Sequence, residues 1–189
     1  MRTRIILAAA EEINFRGFKF TMNDLTKKLG ISKTSLYEHF SSKNELITTL
    51  IEMALEDIRK QEEAIYNNSE LPIEQKFRSL VTVSPKLFGP ISDRIYDDLQ
   101  KDYPDIWNDV ATFRQERLDG LISLLEQGMN LDAIRPINFK ILRQVVLGAM
   151  NDLFHYRFLA ESNMTYSDSV TALADIIIYG LIPRNNYRE

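Results

Sequence analysis

Residues 21–46 read TMNDLTKKLGISKTSLYEHFSSKNEL, and this stretch decides the fold of the first quarter of the chain. The Thr21 hydroxyl, three residues ahead of a carboxylate, predicts a capped helix start, and Gly30 predicts the end of that helix. Ser32 predicts the cap of a second short helix. Since only about three residues separate the two helices, the stretch predicts a helix-turn-helix.

The flanking residues extend this pattern on both sides. Apolar residues at positions 6, 9, 10 and 13 predict a first helix from about Arg2 to Arg16. A longer helix is predicted from about Ser42 to Asn67. We therefore expect a three-helix DNA-binding module over residues 1–47, followed by a second module over residues 48–189.

The second module is also predicted to be helical. Its prolines and glycines separate segments of helical period, and no segment alternates strictly enough for a half-buried strand. The fold class is therefore all-α, with nine helices. Beyond the fourth, they are predicted as two short helices punctuated by Pro72, Pro85 and Gly89-Pro90, then 104 to about 135, 138–162 and 166–182.

Composition excludes several classes of protein. The 189 residues are 44% hydrophobic and 26% charged, as in an average globular protein. The absence of cysteine excludes a disulfide scaffold, a cysteine zinc site and a thiol nucleophile. No apolar run reaches the roughly 20 residues of a membrane span, and the apolar run near the N-terminus is too short for a signal peptide. We expect a soluble protein of the cytoplasm without a membrane partner.

Charge is unevenly distributed along a chain whose net charge is −4. Residues 1–47 hold eight Lys and Arg against five Asp and Glu, a balance of +3, whereas the remaining 15 basic and 22 acidic residues leave −7. Chance can produce such an asymmetry. The basic end nevertheless coincides with the predicted helix-turn-helix, as expected for DNA binding.

The N-terminal motifs resemble the TetR (TetR/AcrR) family of bacterial transcriptional regulators. The matching runs are ILAAA (6–10), GF (17–18), TMNDL (21–25), LGISKTSLYEHF (29–40) and SKNEL (42–46). The chain departs from the family pattern at Thr26 and Lys28, where alanine is usual, and at Thr34, where glycine is usual. The resemblance implies a dimeric DNA-binding regulator with a helical effector-binding domain.

Seven residues are predicted to contact DNA. Lys33, Thr34 and Ser35 occupy the first turn of the recognition helix, where lysine can donate to guanine and the threonine methyl can meet a thymine methyl. The alternative is that these three residues only cap and solvate the helix. The resemblance implies phosphate contacts for Tyr37 and His39, although a lone histidine is more often structural or simply exposed. We also predict phosphate contacts for the last two residues, Lys43 and Thr21.

The resemblance also implies a pocket for a small effector in the second module. Its predicted walls are Phe88, Tyr96, Trp107 and Phe113, with His155 or Tyr156 supplying a directional hydrogen bond. The alternative for these aromatic residues is an ordinary core. We expect a largely apolar or aromatic effector that releases the DNA through the long fourth helix.

Two long helices are predicted to form a homodimer interface. Eleven of the 17 residues from 166 to 182 are apolar or tyrosine, more than one core-facing stripe needs. The alternative is a fully intramolecular core. The predicted interface residues are Phe139, Leu142, Val146, Ala149, Leu153, Val170, Ala174, Ile177 and Leu181.

Other functions find little support in the sequence. Asp152 and His155 are three residues apart, but a metal site would need further ligands, so no metal or other cofactor is expected. No phosphate loop, nucleophile elbow or histidine pair is present, so we expect no enzyme. The prediction is a repressor released by an effector, and the alternative is a constitutive DNA-binding regulator without one.

Overall fold

The computed structural model of the chain describes residues 1–87, 94–152 and 156–181, and within these ranges every regular element is helical. Ten α-helices are described, and a 3-10 turn, Gly17–Lys19, follows the first of them. Their bounds are α1 Arg2–Arg16, α2 Met22–Leu29, α3 Lys33–Tyr37, α4 Lys43–Tyr66, α5 Ile73–Thr82, α6 Arg94–Asp102, α7 Pro104–Asn130, α8 Phe139–Asp152, α9 Tyr156–Ser162 and α10 Tyr166–Leu181. The predicted all-α class is confirmed.

The helix count differs from the predicted nine because the segment 138–162 is described as two helices, α8 and α9. Residues 153–155 between them lie outside the described residues. Within the described ranges, no helix combines the length and the apolar character that crossing a bilayer requires.

The caps predicted from the sequence form in the helix-turn-helix. The Thr21 hydroxyl accepts a hydrogen bond from the Asp24 backbone N–H, and the Asp24 carboxylate accepts one from the Thr21 N–H at 2.8 Å. Gly30 ends α2 with φ 65° and ψ 35°, a left-handed conformation that favours glycine. Ser32 then caps α3 by accepting from the Ser35 N–H at 3.1 Å. Side-chain chemistry thus sets both ends of the turn.

The chain divides into two compact units, whose boundaries fall within α4, just after α5 and within α7. The first unit comprises Met1–Lys60 and Ser84–Ala111, and the second comprises Gln61–Val83 and Thr112–Glu189. These units differ from the predicted modules, 1–47 and 48–189. A three-helix module of that size leaves apolar surface uncovered, and here α4, α6 and the start of α7 cover it.

The core of the first unit lies between the inward faces of helices α1 to α4. Phe20, Leu36, Phe40 and Leu46 have no surface exposed to solvent. Four residues from the later helices join this core: Ile95, Leu99, Ile106 and Val110. The helix-turn-helix therefore rests on a closed apolar core.

The second unit has a separate core among α5, α7, α8 and α10. Phe77 and Leu80 of α5 meet Leu124 and Leu125 of α7 there. Arg135, in the turn before α8, donates from its backbone N–H to the Leu181 carbonyl at 3.0 Å. This bond and the shared core hold the end of α10 within the unit.

Candidate functional site

The recognition helix α3 presents one polar face to solvent. Lys33 and Thr34 are exposed, and Tyr37 is 48% exposed. Leu36 and Phe40 point inward, since both are completely buried. Because burial of these two residues fixes the rotation of the helix, its outward face displays an ammonium, a hydroxyl with its methyl group, and a phenol.

Two predicted DNA contacts lie at the edge of this face. Ser35 is half-buried, and its backbone N–H is bonded to the Ser32 hydroxyl. His39 is also half-buried, and its N–H donates to the Leu36 carbonyl at 3.1 Å. The polar face of α3 therefore centres on Lys33, Thr34 and Tyr37.

Thr21 and Lys43 have local partners. The Thr21 hydroxyl donates to the Asp24 carboxylate at 2.8 Å within the cap of α2. The Lys43 ammonium donates to the Phe18 carbonyl and lies 4.7 Å from the centroid of the Phe20 ring. Burial lowers the pKa of Lys43, although the Asp102 carboxylate opposes this shift. In the structure, Lys43 joins the start of α4 to the turn after α1, and its phosphate contact stays a prediction.

Two departures from the family pattern have a structural explanation. Thr26 is buried, and its hydroxyl donates to the Asn23 carbonyl at 2.8 Å. Lys28 forms ion pairs with Glu11 at 2.9 Å and Glu12 at 3.0 Å. The hydrogen bond from Lys28 holds the pKa of Glu12 below its usual value, although burial acts in the opposite direction. Lys28 thus joins α2 to α1.

Arg2 is a candidate DNA contact that sequence reasoning missed. Its guanidinium carbon lies 4.7 Å from the centroid of the Phe40 ring, which follows α3, and the residue is exposed. In the sequence analysis, Arg2 contributed only to the charge balance of residues 1–47. Its aromatic partner, 38 positions away in the sequence, became visible only in the folded chain.

A cavity lies among α5, α7, α8 and α10 in the second unit. Its volume is about 100 Å³, and it opens to solvent. Small-molecule sites commonly have volumes of roughly 300–1,000 Å³, so this cavity is a small one. Its lining residues are apolar except for two arginines: Phe77, Val81, Arg114, Arg117, Leu118, Leu121, Ile122, Leu125, Leu142, Val146, Val170, Leu173, Ala174 and Ile177.

Two of the residues predicted to line the effector pocket, Trp107 and Phe113, are not lining residues of this cavity. Trp107 packs against the core of the first unit, and Phe113, 4% exposed, is not a lining residue of the cavity. Phe88 and His155 lie outside the described residues, as do the side chains of Tyr96 and Tyr156. Aromatic character alone does not distinguish core residues such as Trp107 and Phe113 from the wall of a cavity, and the prediction for the other four residues stays a prediction.

A sequence signal for this cavity did exist on α7. Arg114 is four residues after Val110 and four before Leu118, so it occupies a position in the apolar stripe of the helix. Arg117 is four residues before Leu121 and also faces the cavity. A cation that interrupts an inward stripe indicates a polar requirement inside the unit.

The predicted interface residues mostly belong to the interior of the second unit. Leu142, Ala174 and Leu181 are buried, while Phe139, Val146 and Ile177 pack partly buried against the same core. Val170 lines the cavity and Ala149 is half-buried. Leu153 lies outside the described residues.

Other large apolar residues of α8 and α10 face outward. Ile141 is 61% exposed and Val145 is 55% exposed, and they lie one turn apart on α8. On α10, Ile176 is 71% exposed and Tyr179 is 67% exposed. We call these four residues the outer apolar face. The sequence placed apolar residues on both sides of these helices but assigned the inner side to the partner chain.

Metal ligands are not grouped in the parts of the chain that the structure describes. Within those ranges, no three His, Asp or Glu side chains come together as a metal ion requires. His155, one half of the pair considered in the sequence, lies outside them.

These features define a DNA-binding regulator of the helix-turn-helix class. The family described as bacterial regulatory proteins, tetR family, matches residues 5–50. Residues 5–50 are thus similar to bacterial transcriptional regulators of this family.

One curated relative and two solved structures are similar to the chain over most of its length. The chain is 26% identical over 181 residues to an uncharacterized HTH-type transcriptional regulator, YvaF, of Bacillus subtilis strain 168, and the match covers 96% of this chain and 95% of the relative. The crystal structure of the TetR-family regulator PfmR of Thermus thermophilus matches with a TM-score of 0.67 at 21% identity, covering 93% of this chain and 97% of that chain. The ketosteroid transcriptional regulator KstR2 of Mycobacterium tuberculosis matches with a TM-score of 0.67 at 19% identity, covering 97% of this chain and 95% of that chain.

Proposed function

We propose that this protein is a homodimeric repressor that binds a nearly palindromic operator and leaves it when a small apolar effector binds the cavity of the second unit. The observation that carries the proposal is the exposed face of α3, with Lys33, Thr34 and Tyr37 outward above the buried Leu36 and Phe40. Such a protein acts on the bacterial chromosome, in the cytoplasm.

Operator reading is assigned to the first turn of α3. Lys33 donates to the O6 or N7 atom of a guanine, and the Thr34 methyl contacts a thymine methyl. Tyr37 and Arg2 bind phosphates on either side, together with His39, Ser35 and the Thr21 end of α2. Lys43 acts as a positioning residue, because its ammonium holds the start of α4 against the Phe18 carbonyl.

Dimerisation is assigned to the outer apolar face. Ile141, Val145, Ile176 and Tyr179 place four large side chains in solvent on two helices of one unit. Packing the same face of a second chain against them buries this surface and gives the two-fold symmetry that a palindromic operator requires.

Effector release is assigned to the second-unit cavity. The two units are connected by the continuous helix α4, which begins at Lys43 in the first unit and ends at Tyr66 in the second. A coupling free energy of about 1–3 kcal/mol between effector and operator is enough for regulation.

The decisive experiment selects binding sites from randomised duplexes and then compares Lys33→Ala with Lys140→Ala. Lys140 is exposed on α8, so its loss removes the same charge outside the proposed interface. We expect Lys33→Ala to weaken operator binding by about 1–3 kcal/mol and relax the preference at one base position in each half-site. Lys140→Ala is expected to have little effect. Equal weakening on operator and random DNA would refute the role of Lys33 in base reading.

A further inference from the structure

The second unit contains a second cavity, which lies between the start of α5, the turn after α7 and the end of α10. Its volume is about 190 Å³, against about 100 Å³ for the cavity described above, which we call the first cavity. Its interior is lined by five buried apolar residues: Phe77, Leu125, Ile134, Ile178 and Leu181. The second cavity therefore has an apolar interior that belongs to the core of the unit.

Backbone bonds and close packing hold the walls of this cavity apart. The Ile134 N–H donates to the Gly128 carbonyl at 3.2 Å, and the next residue, Arg135, donates from its N–H to the Leu181 carbonyl at 3.0 Å. Gly128 has no room for a side chain, since a Cβ atom there would lie 2.8 Å from Ile134 and 3.0 Å from Ile73. Because these segments are fixed, they do not relax into the space between them.

The size and chemistry of the second cavity favour an apolar ligand over water. Side chains that face empty space lack partners for dispersion contacts, so a molecule that fits the space restores those contacts. Apolar cavities stay dry, and one of about 150 Å³ is large enough to bind benzene. The second cavity exceeds this volume, whereas the first cavity does not. A single ring therefore fits the second cavity better than the first.

Glu74 determines which charges the second cavity admits, because it is the only charged side chain among the described lining residues. Its side chain is 45% exposed, and its Oε1 atom accepts a hydrogen bond from the Arg78 Nε at 3.3 Å. A ligand anion would be repelled by this carboxylate. A ligand cation would lose its hydration in the apolar interior, where no other side chain can accept a hydrogen bond. Both terms favour an uncharged ligand.

We infer that the second cavity is a binding site for an uncharged single-ring aromatic molecule, separate from the effector cavity of the proposed function. Phe77, which is 3% exposed, supplies an aromatic wall against which a ligand ring packs by its edge or its face. Phe77 and Leu125 line both cavities. A ring bound in the second cavity thus contacts two residues that also form the wall of the first.

The test compares benzene with two charged molecules that carry the same ring, benzoate and benzylammonium. Full-length protein with labelled methyl groups is titrated with each probe and followed by NMR. We expect saturable binding of benzene, with nuclear Overhauser effects between its protons and the methyl groups of Ile134, Ile178 and Leu181. Both charged probes should bind at least about tenfold more weakly, because their charge must be desolvated.

Three results of this titration would overturn the inference. They are the absence of saturable benzene binding up to its solubility in water, binding of either charged probe as tight as that of benzene, and benzene contacts confined to methyl groups of the first cavity, such as those of Leu142 and Val146.

A pair of variants then tests the location of the site. Ile178→Phe places a ring in the second cavity and is expected to abolish saturable benzene binding. Val146→Phe is the matched control, because Val146 lines the first cavity but not the second, and its benzene affinity should equal that of the wild type. Unchanged binding in Ile178→Phe, or equal losses in both variants, would contradict the assignment. If Ile178→Phe does not fold, as judged by circular dichroism, the wild-type methyl contacts decide the question.

Discussion

Leu36, Phe40 and Leu46 in the first unit have no surface exposed to solvent, whereas Ile134, Leu142 and Ala174 in the second retain 6%, 8% and 5%. The second unit also contains the cavity and the outer apolar face. Both units expose large apolar side chains, such as Phe15 in the first and Ile176 in the second, so the comparison rests on the cavity that the second unit contains.

This difference matches the proposed work of each unit. Base reading requires α3 to be held in one rotation, which a closed core provides because packed interiors allow little displacement. Effector binding requires space, and dimerisation requires a surface that a second chain can cover.

The largest effect is expected from truncating the closed core. Leu46→Ala should lower the free energy of unfolding by about 2–5 kcal/mol, because the removed atoms leave a void that their neighbours cannot fill. Leu121→Ala, on the cavity wall, should cost only about 1–2 kcal/mol, because this half-buried side chain already borders empty space. Urea unfolding followed by circular dichroism measures both values. Equal losses would show that the second core is as closed as the first.

A smaller effect, a loss of about 2 kcal/mol or more in the free energy of dimerisation, is expected from a substitution on the outer apolar face. Ile176→Asp places a carboxylate at the centre of the proposed interface, so analytical ultracentrifugation should detect dissociation at concentrations where the wild type is dimeric. Leu131→Asp is the control, since Leu131 is 72% exposed in the turn after α7, outside this face. Dissociation by both variants, or by neither, would place the interface elsewhere.

The smallest effect concerns two equivalent helix caps, one in each unit. Thr21 and Asp24 cap α2, and Thr165 and Asp168 form the same bonds before α10, including a hydroxyl-to-carboxylate bond of 2.7 Å. Hydrogen bonds from the threonine hold the pKa of each aspartate below its usual value of 3.8. At Asp24, the Arg16 guanidinium at 3.1 Å lowers the pKa further.

The sign of the pH effect follows from these lowered values. Each carboxylate stabilises the fold above its unfolded pKa near 3.8, and this contribution disappears as the pH falls through the lower folded value. Asp24→Asn and Asp168→Asn should therefore both reduce the acid sensitivity of the unfolding midpoint, Asp24→Asn more strongly because of Arg16. Denaturant titrations from about pH 6 down to about pH 3 test this. A steeper loss of stability in either variant would contradict it.

Local sequence was sufficient for the helix-turn-helix. Thr21, Gly30 and Ser32 act through bonds to residues at most a few positions away, so their types and spacing predicted the observed caps. The rotation of α3 followed as well, because Leu36 and Phe40 are the large apolar residues of a short polar helix. The exposure of Lys33, Thr34 and Tyr37 is a direct consequence.

Features that depend on residues far apart in the sequence could be identified only in the folded chain. Lys43 contacts the Phe18 carbonyl, and Arg2 contacts the Phe40 ring. Both pairs are far apart in the sequence, so no local pattern predicts them. The same holds for the cavity, whose walls come from four helices. The stripe interrupted by Arg114 signalled it only in retrospect.

Helices α8 and α10 mark the boundary between what periodicity predicts and what packing decides. Their apolar residues were evident in the sequence, but one stripe, with Leu142 and Ala174, faces the core of its own chain, and the other, with Ile141 and Ile176, faces solvent. An apolar side chain gains the same transfer free energy whether its own chain or a second copy covers it. The sequence therefore specifies that both apolar stripes gain free energy when they are buried. Only the packing of the other helices determines which stripe is buried within the chain.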